Sequence, residues 1–335
     1  FEKNKIIMKN FVATMTPMRI SFVGGGSDFK EFYKKNNGGA VLNAAIDKYV
    51  YIIINKYHDP NKCLLKYSKS EIVNKIGDIK HPLIKGCLRK MKIWGLDINS
   101  VADIPAGTGL GSSSSFTVGL INALEYYKGR SVSKINLANK ACDIELEQLK
   151  LPTGKQDQFA ASFGGLNLIE FKPSGKTVVK KINNTKVKDF LKKNVLIINT
   201  GFIKKNKIVL TEQVNNIKKG KEFFNHLIYM RDSVYEFKNS LERKDMQSCG
   251  EILDENWQRK KELAKGISNN YINDMYDESI KCGALGGKIL GAGGRGYLML
   301  ICPENKKHLI KKKFNKFNFL NFEFDNKGSR RILKI

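Results

Sequence analysis

The sequence predicts an α+β protein in which strands and helices are grouped rather than regularly alternating. Apolar runs typical of strands dominate the first half of the chain, and helical periodicity dominates the region from about residue 205 to 285. A polar stretch, residues 172–193, separates the two regions. We therefore predict two domains, residues 1–180 and residues 181–335, rather than a continuous βαβ repeat.

The strands are predicted from short runs rich in β-branched and other apolar residues. They cover residues 19–23, 49–55, 165–171, 195–199 and 297–301. The helices are predicted from apolar positions three and four residues apart, and they cover residues 113–127, 134–149, 207–219, 223–243 and 246–265. Such long amphipathic stretches are typical of core packing.

The chain carries 59 Lys and Arg against 32 Asp and Glu, a formal net charge of +27. This excess favours anionic partners, either nucleic acid or phosphorylated small molecules. The basic clusters lack the interleaved aromatic residues of a single-strand-binding surface, so we expect no nucleic-acid partner. No apolar run approaches the roughly 20 residues of a membrane span, so a cytoplasmic protein with no membrane partner is expected.

The six cysteines and four histidines are scattered along the chain. No two cysteines have a CxxC spacing, which argues against a zinc site and against a disulfide framework. No histidine lies beside a nucleophile motif, so a histidine-based catalytic triad has little support.

A glycine- and serine-rich loop runs directly into an apolar helix at residues 103–124, DIPAGTGLGSSSSFTVGLINAL. The first N–H groups of a helix lack intrahelical partners, and glycines let phosphate oxygens approach them. The spacing differs from that of a P-loop and from the Rossmann fingerprint. A flexible serine linker is the alternative, but the apolar helix that follows at once favours a phosphate-binding loop.

A second glycine cluster, KILGAGGRGYLMLICP, occupies residues 288–303. Gly291, Gly293 and Gly296 match GxGxxG, but a strand follows where a dinucleotide site needs a helix. We therefore predict a turn that lets backbone segments pack closely and that forms a wall against the first loop.

Glu145 occupies an apolar stripe of the helix predicted over 134–149. On a 3.6-residue period it shares a face with Ala141 and Leu149, whereas Glu147 lies among charged residues. A carboxylate that faces a core is costly unless it is paired. A magnesium ion that also binds substrate phosphates would pair it; a partly exposed glutamate at the stripe edge is the alternative.

Asp157 follows in the stretch PTGKQDQFAASFGG, after Pro152 and Gly154 end that helix. A lone Asp in a polar loop is often a helix cap. Its place between a candidate metal site and a second short helix favours instead a role in accepting the proton of a substrate hydroxyl. Arg19 is the candidate for its cationic neighbour.

The stretch RISFVGGGSDF, residues 19–29, ends a good strand on Gly24, Gly25 and Gly26 and places Asp28 on the following loop. Consecutive glycines are entropically costly and occur where the backbone turns sharply or approaches another group closely. One interpretation is a tight turn in which Asp28 caps the next helix. The other is a loop that contacts a substrate.

Four segments, TPMRISFVGGGSD, PAGTGLGSSSSF, ELEQLKLPTGKQDQF and KILGAGGRGY, together resemble the ordered motifs of the GHMP small-molecule kinases. The resemblance implies an N-terminal α+β domain with a left-handed βαβ unit and a ferredoxin-like C-terminal domain. It also implies a phosphotransferase that binds ATP, Mg²⁺ and its substrate in the cleft between the two domains.

The resemblance further implies roles for individual residues. Asp157 matches the family's candidate catalytic base and Arg19 the cation beside it, while Ser113 and Glu145 match the Mg²⁺-binding residues. The expected ATP-binding residues are Gly107, Thr108, Gly109, Leu110, Gly111, Ser112, Ser113 and Ser114. The expected substrate-binding residues are Gly25, Gly26, Ser27, Asp28, Asp157, Gly293 and Gly294.

The motif after the first strand indicates the acceptor. Galactokinases carry Gly-Glu-His-Thr-Asp where this chain has Gly-Gly-Gly-Ser-Asp, so the Glu and His that would bind sugar hydroxyls are absent. The pattern resembles members of the family that act on a sugar phosphate, and we expect a sugar phosphate and ATP as partners of a monomer or homodimer. A kinase for L-fucose or galactose and a non-catalytic sugar- or nucleotide-binding regulator are the alternatives.

Overall fold

The computed structural model describes residues 10–201 and 206–332. Its strands form two separate sheets that are covered by helices, and the expected α+β class is confirmed. In chain order the strands are β1 (Phe11–Val23), β2 (Gly39–Lys56), β3 (Cys63–Lys66), β4 (Ser70–Val73), β5 (Leu96–Ala102), β6 (Leu166–Phe171), β7 (Thr177–Lys181), β8 (Val195–Gly201), β9 (Gly286–Ile289), β10 (Gly296–Ile301) and β11 (Arg330–Arg331).

The helices include two long ones, α8 and α9, in the second half of the chain. In chain order they are α1 (Lys30–Tyr33), α2 (Pro82–Met91), α3 (Ser112–Tyr127), α4 (Lys134–Cys142), α5 (Gln156–Phe163), α6 (Thr185–Asn194), α7 (Asn206–Lys219), α8 (Lys221–Arg243), α9 (Met246–Lys261), α10 (Asn270–Lys281) and α11 (Lys307–Lys313). Within the described ranges, none of them is long and apolar enough to cross a bilayer.

The larger sheet has the strand order β11-β1-β2-β5-β3-β4, and β6 and β7 extend it from the first half of β2. β1 pairs antiparallel with β2, and the register shifts after Pro17, where the missing backbone N–H interrupts the ladder. β3 and β5 run parallel and are joined through α2, so they form a βαβ unit. Arg19 lies near the end of β1 opposite Ala45, which holds its backbone in the sheet.

The smaller sheet has the order β8-β10-β9, with both pairs antiparallel. Its apolar side chains, such as Ile198 and Leu298, share a core with the fully buried Trp257 of α9. This packing fixes α9 against the sheet and brings the end of β9 towards the larger sheet, where Lys288 bonds to the backbone of Phe22.

The boundary near residue 180 stays a prediction. The two sheets divide close to it, since β7 ends at Lys181 and β8 begins at Val195. The end of the described chain nevertheless returns to the larger sheet, where β11 pairs with β1 and Arg330 lies opposite Met15.

Two predicted helices end earlier than expected. The helix expected over 134–149 ends at Cys142 and continues as a π-helical turn, Asp143–Gln148, and the helix expected over 246–265 ends at Lys261. A π-helical turn is rare and frequently marks a functional site, and this one carries Glu145.

Candidate active site

A cleft of about 320 Å³ lies between the loop that precedes α3, the loop that follows β1 and the end of β9. All four segments that carry the family resemblance contribute to its walls. Among its lining residues are Arg19, Gly25, Gly26, Asp28, Gly107, Gly109, Gly111, Ser112, Ser113, Ser114, Glu145, Gln156, Asp157, Lys260, Lys288 and Gly291. The cleft therefore gathers most of the predicted site residues from positions far apart in the sequence.

The loop before α3 is held in a conformation that favours glycine. Gly107, Gly109 and Gly111 have φ angles of +85°, +87° and +74°, a region that side chains rarely adopt. Gly111 directly precedes the helix, and no side chain caps its first turn. The N–H groups of Ser112 and Ser113 therefore begin the helix at the cleft wall without intrahelical partners, which suits an anion.

Two of the expected ATP-binding residues in this loop have buried side chains. The Thr108 side chain is buried, and its Oγ1 donates to the Pro105 carbonyl at 3.2 Å. The Leu110 side chain belongs to the core, and its carbonyl accepts the Arg19 N–H at 2.9 Å. The first contact stabilises the loop internally, and the second anchors it to β1.

The second glycine cluster packs directly on the first loop, so the predicted wall is confirmed. A Cβ at Gly109 would lie 2.2 Å from the Leu290 carbonyl oxygen, and one at Gly291 would lie 2.4 Å from the Gly109 Cα. Gly294 instead donates its N–H to Ile267, and a Cβ at Gly293 would meet the same Ile267 backbone. Gly291 thus lines the cleft, whereas Gly293 and Gly294 support the turn behind it.

Arg19 and Asp157 form a two-pronged ion pair. Arg19 Nε and Nη2 each donate to a different carboxylate oxygen of Asp157 at 2.7 Å. Arg19 Nη1 also donates to the Gly109 carbonyl, so the pair is tied to the glycine loop. Both side chains are largely buried, with 6% and 14% of their surface exposed, and this geometry holds the carboxylate in one orientation at the cleft.

Asp28 bonds to the first turn of α5 rather than to the helix that follows it in sequence. Its carboxylate accepts the Gln156 backbone N–H at 3.1 Å, the Gln156 side-chain amide at 3.3 Å and the Gly26 N–H at 3.0 Å. The next helix, α1, has no side-chain cap. Burial raises the pKa of Asp28, and the nearby charge of Asp157 adds to the rise against those hydrogen bonds.

The three glycines after β1 differ in how closely other groups approach them. A Cβ at Gly24 would lie 2.1 Å from the Ala40 carbonyl oxygen, whereas one at Gly25 would meet nothing nearer than 3.5 Å. Ser27 is buried, and its Oγ lies 2.8 Å from the Gly24 carbonyl and 2.7 Å from that of Ala40. Ser27 therefore braces the loop from behind, and Gly25 and Gly26 present its backbone to the cleft.

Glu145 is buried, with 1% of its surface exposed, as its apolar stripe predicts, and Glu147 is exposed and pairs with Lys30. Glu145 Oε2 accepts hydrogen bonds from Ser114 Oγ at 2.8 Å and Gln158 Nε2 at 2.7 Å. Burial raises the pKa of Glu145 to about 7, although these hydrogen bonds oppose the rise.

The residues around Glu145 fit a magnesium ion. Glu145 Oε1 is buried without a hydrogen-bond partner among the described residues, and the Ser113 side chain is exposed at the same cleft. The described part of the chain holds no cluster of three His, Cys, Asp or Glu that would bind a metal by itself. An ion held here would therefore take its remaining ligands from phosphate oxygens and water, as Mg²⁺ commonly does.

Sequence reasoning missed two lysines in the cleft. Lys260 on α9 and Lys288 on β9 are 5% and 2% exposed, and both line the cleft wall. Burial lowers the pKa of Lys260 to about 7 and that of Lys288 well below its usual value. Lys288 lies in an otherwise apolar and glycine-rich strand, GGKI, and a single lysine in such a strand could have indicated a buried functional residue. Lys260 lies among other charged residues, so its sequence context does not indicate burial.

Comparison with known proteins gives a consistent result over both halves of the chain. Residues 82–165 match the GHMP kinases N terminal domain, and residues 237–319 match the GHMP kinases C terminal domain. The D-glycero-alpha-D-manno-heptose 7-phosphate kinase of Campylobacter jejuni is 28% identical over 328 residues, which cover 91% of this chain and 93% of that protein. The galactokinase of Pyrococcus furiosus is 24% identical over 89% of this chain and 91% of that protein.

Solved structures show the same fold. A D-glycero-D-manno-heptose 1-phosphate kinase from Bacteroides thetaiotaomicron superposes with a TM-score of 0.78 at 24% identity, covering 97% of this chain and 99% of that chain. The two matched domains lie in the expected order, and the cleft unites the motifs of both. We conclude that the chain belongs to the GHMP kinase family, as a sugar kinase with the two-domain α+β fold of that family.

Proposed function

We propose that this protein transfers the γ-phosphoryl group of ATP to the anomeric hydroxyl of D-glycero-D-manno-heptose 7-phosphate and so forms the 1,7-bisphosphate. The observation that carries the proposal is the Arg19–Asp157 pair, tied to Gly109 of one loop and lining the same cleft as Asp28 of the other. Similarity to the heptose 7-phosphate kinase over 91% of the chain supports this acceptor.

In this proposal the loop over 107–114 binds the triphosphate. Gly107, Gly109 and Gly111 give the loop the positive φ angles that glycine adopts readily, and Ser112, Ser113 and Ser114 begin α3 with backbone donors that lack intrahelical partners. Thr108 and Leu110 take part through their backbone, as their buried side chains indicate.

Ser113 and Glu145 would hold Mg²⁺ in this proposal. The ion supplies positive charge that offsets the charge of the β- and γ-phosphates. Gln158 and Ser114 orient the Glu145 carboxylate through Oε2 and leave Oε1 available.

Asp157 takes the proton of the acceptor hydroxyl as that oxygen bonds to the γ-phosphorus. The bond between the γ-phosphorus and its bridging oxygen breaks, and ADP leaves with the electron pair. Arg19 keeps the carboxylate oriented through its two hydrogen bonds. An anomeric hydroxyl is more acidic than an ordinary alcohol, so the demand on the base is smaller here.

The acceptor is proposed to bind the loop after β1. Gly25 and Gly26 offer backbone near the cleft, and Asp28 offers carboxylate oxygens that already hold Gln156 and Gly26 in place. Ser27 and the pair Gly293 and Gly294 support the acceptor indirectly, because they lie behind the cleft walls.

A panel of acceptors tests the proposed function. ADP release is measured with heptose 7-phosphate, mannose 6-phosphate, L-fucose, galactose and mevalonate, and phosphorus NMR locates the new phosphate. Turnover with heptose 7-phosphate and a product phosphate on the anomeric carbon are expected. Turnover only with an unphosphorylated sugar would retain the kinase and reject the acceptor.

Replacement of Glu145 tests the metal site. Glu145→Gln removes a negative charge from the site, so the Mg²⁺ concentration for half-maximal rate is expected to rise about tenfold or more. Glu147→Gln is the matched control, because Glu147 is two residues away, exposed and paired with Lys30. An unchanged Mg²⁺ titration for Glu145→Gln would rule out the metal assignment.

A further inference from the structure

Two buried lysines line the cleft and have no carboxylate partner within the described ranges of the chain. Lys260 Nζ donates to the carbonyl oxygens of Ile289 and Gly291, and Lys288 Nζ donates to that of Phe22 at 2.9 Å. Among the described residues, neither lysine forms an ion pair. Buried ammonium groups are normally paired, because desolvation of an isolated charge is costly.

The charges around the pair increase this cost. The positive charge of Arg19 disfavours the protonated form of each lysine, and Lys260 adds to this effect on Lys288. The negative charge of Asp28 favours the protonated form of both lysines. A protonated lysine has three N–H donors. Lys260 uses two and Lys288 uses one on carbonyl groups, so three donors remain for a ligand in the cleft.

The pair lies where the two halves of the cleft meet. Lys260 holds Gly291, which packs on Gly109, and Arg19 donates to the carbonyl of that same Gly109. Lys288 holds Phe22, the second-last residue of β1, which leads into the loop of residues 24–28 that is proposed to bind the acceptor. Both lysines therefore line the cleft between the phosphate loop and the acceptor loop.

A purely structural role for the two lysines explains these contacts less well. Three carbonyl groups need only neutral donors, and a neutral amide would hold them without two adjacent positive charges in a buried site. The second charge becomes favourable when an anion enters, because charge-assisted hydrogen bonds to phosphate are strong.

We propose that Lys260 and Lys288 form a second phosphate-binding subsite, opposite the loop over 107–114. This deepens the proposed kinase function and rests on it. The dianionic group has two possible sources, the phosphoryl group in transfer and the phosphate already on the acceptor. Arg19 bonds to the Gly109 carbonyl, and Lys260 bonds to Gly291, which packs on Gly109. Because both side chains lie beside the loop proposed to bind the triphosphate, the phosphoryl group in transfer is favoured.

The first test compares two acceptors that differ only in their phosphate, heptose 7-phosphate and heptose. Lys260→Met and Lys288→Met keep most of the apolar stem and remove the charge. Lys261→Met is the matched control, since Lys261 is the next residue of α9 and packs over Trp257. Lys260→Gln keeps neutral donors for Ile289 and Gly291, so it separates loss of charge from loss of the structural tie.

We expect kcat/KM to fall about 10- to 100-fold in Lys260→Met, Lys288→Met and Lys260→Gln, with no change in Lys261→Met. An equal fall with both acceptors identifies the phosphoryl group in transfer, and a fall confined to heptose 7-phosphate identifies the acceptor's phosphate. Full activity in Lys260→Gln and Lys288→Met would overturn the subsite.

The second test does not depend on the acceptor. Binding of inorganic phosphate is measured by calorimetry in the presence of saturating MgADP, after circular dichroism has shown that each variant is folded. Weaker binding, by about tenfold or more in Lys260→Gln but not in Lys261→Met, supports the subsite even if no heptose is phosphorylated. Unchanged phosphate binding in folded variants overturns it, whatever the acceptor panel shows.

Discussion

Asp157→Asn is expected to lower kcat by about 10²–10⁴-fold, because the amide cannot accept the proton of the acceptor hydroxyl. The substitution keeps the size of the side chain but also removes one partner of the ion pair with Arg19. Since the anomeric hydroxyl is relatively acidic, we expect a loss towards the lower end of this range. The measurement is steady-state ADP release at saturating ATP and acceptor, with the KM for ATP recorded in parallel.

Asp97→Asn is the control for this experiment. Asp97 also makes an ion pair, a single and more exposed contact with Lys66 at 3.3 Å, on β5 and outside the cleft lining. Its replacement is expected to leave kcat unchanged, since surface ion pairs contribute little. A kcat for Asp157→Asn close to that of the unmodified enzyme would remove Asp157 from the role of base.

Gly109→Ala is expected to abolish most of the ATP-dependent activity. Its φ of +87° disfavours any side chain, and the new Cβ would lie 2.2 Å from the Leu290 carbonyl oxygen. The glycine loop and the second glycine cluster would have to separate. Because displacement of a positioned group by about 1 Å costs about 10²-fold, kcat/KM for ATP is expected to fall by at least that factor.

The same substitution is expected to reduce the free energy of unfolding by about 1–3 kcal/mol, the usual cost of a strained backbone position. Gly77→Ala is the matched control, since a Cβ there meets nothing within 4 Å and the φ of Gly77 lies outside the left-handed region. Chemical denaturation and ATP kinetics of both variants form the comparison. A Gly109→Ala enzyme as active and stable as the Gly77→Ala enzyme would show that the two glycine segments are not required to pack.

Much of the candidate site could be predicted because burial of a helix face and the conformation of a glycine-rich loop depend on neighbouring residues in the sequence. The apolar stripe around Glu145 predicts which way that side chain faces, and Glu145 is indeed 1% exposed. The glycine- and serine-rich stretch predicts a loop that runs directly into a helix, and α3 begins at Ser112 immediately after Gly111. These features depend on residues within one or two helical turns, so periodicity and glycine placement are sufficient to find them.

Partners across long sequence separations could not be predicted in the same way. The sequence indicated Asp28 as a cap for the next helix or as a substrate ligand, and the structure shows it bonded to Gln156 on α5. Ser114 was expected only as part of the ATP-binding loop, and in the structure its hydroxyl donates a hydrogen bond to Glu145. Periodicity reports which side of an element is buried, but it does not report which atoms meet there.

From the sequence alone we could predict the fold class, the two glycine loops and the buried carboxylate, because each depends on local backbone preference and on the pattern of apolar residues. Three placements became known only from the folded structure: Lys260 and Lys288 line the cleft, Gly291 rather than Gly293 or Gly294 packs on the glycine loop before α3, and Ser27 lies behind its turn. These placements follow from how the two sheets and α9 pack together. The sequence around a helical lysine does not show whether the side chain faces solvent or a cleft. For Lys260 the packing of Trp257 against the smaller sheet orients α9 and so decides this.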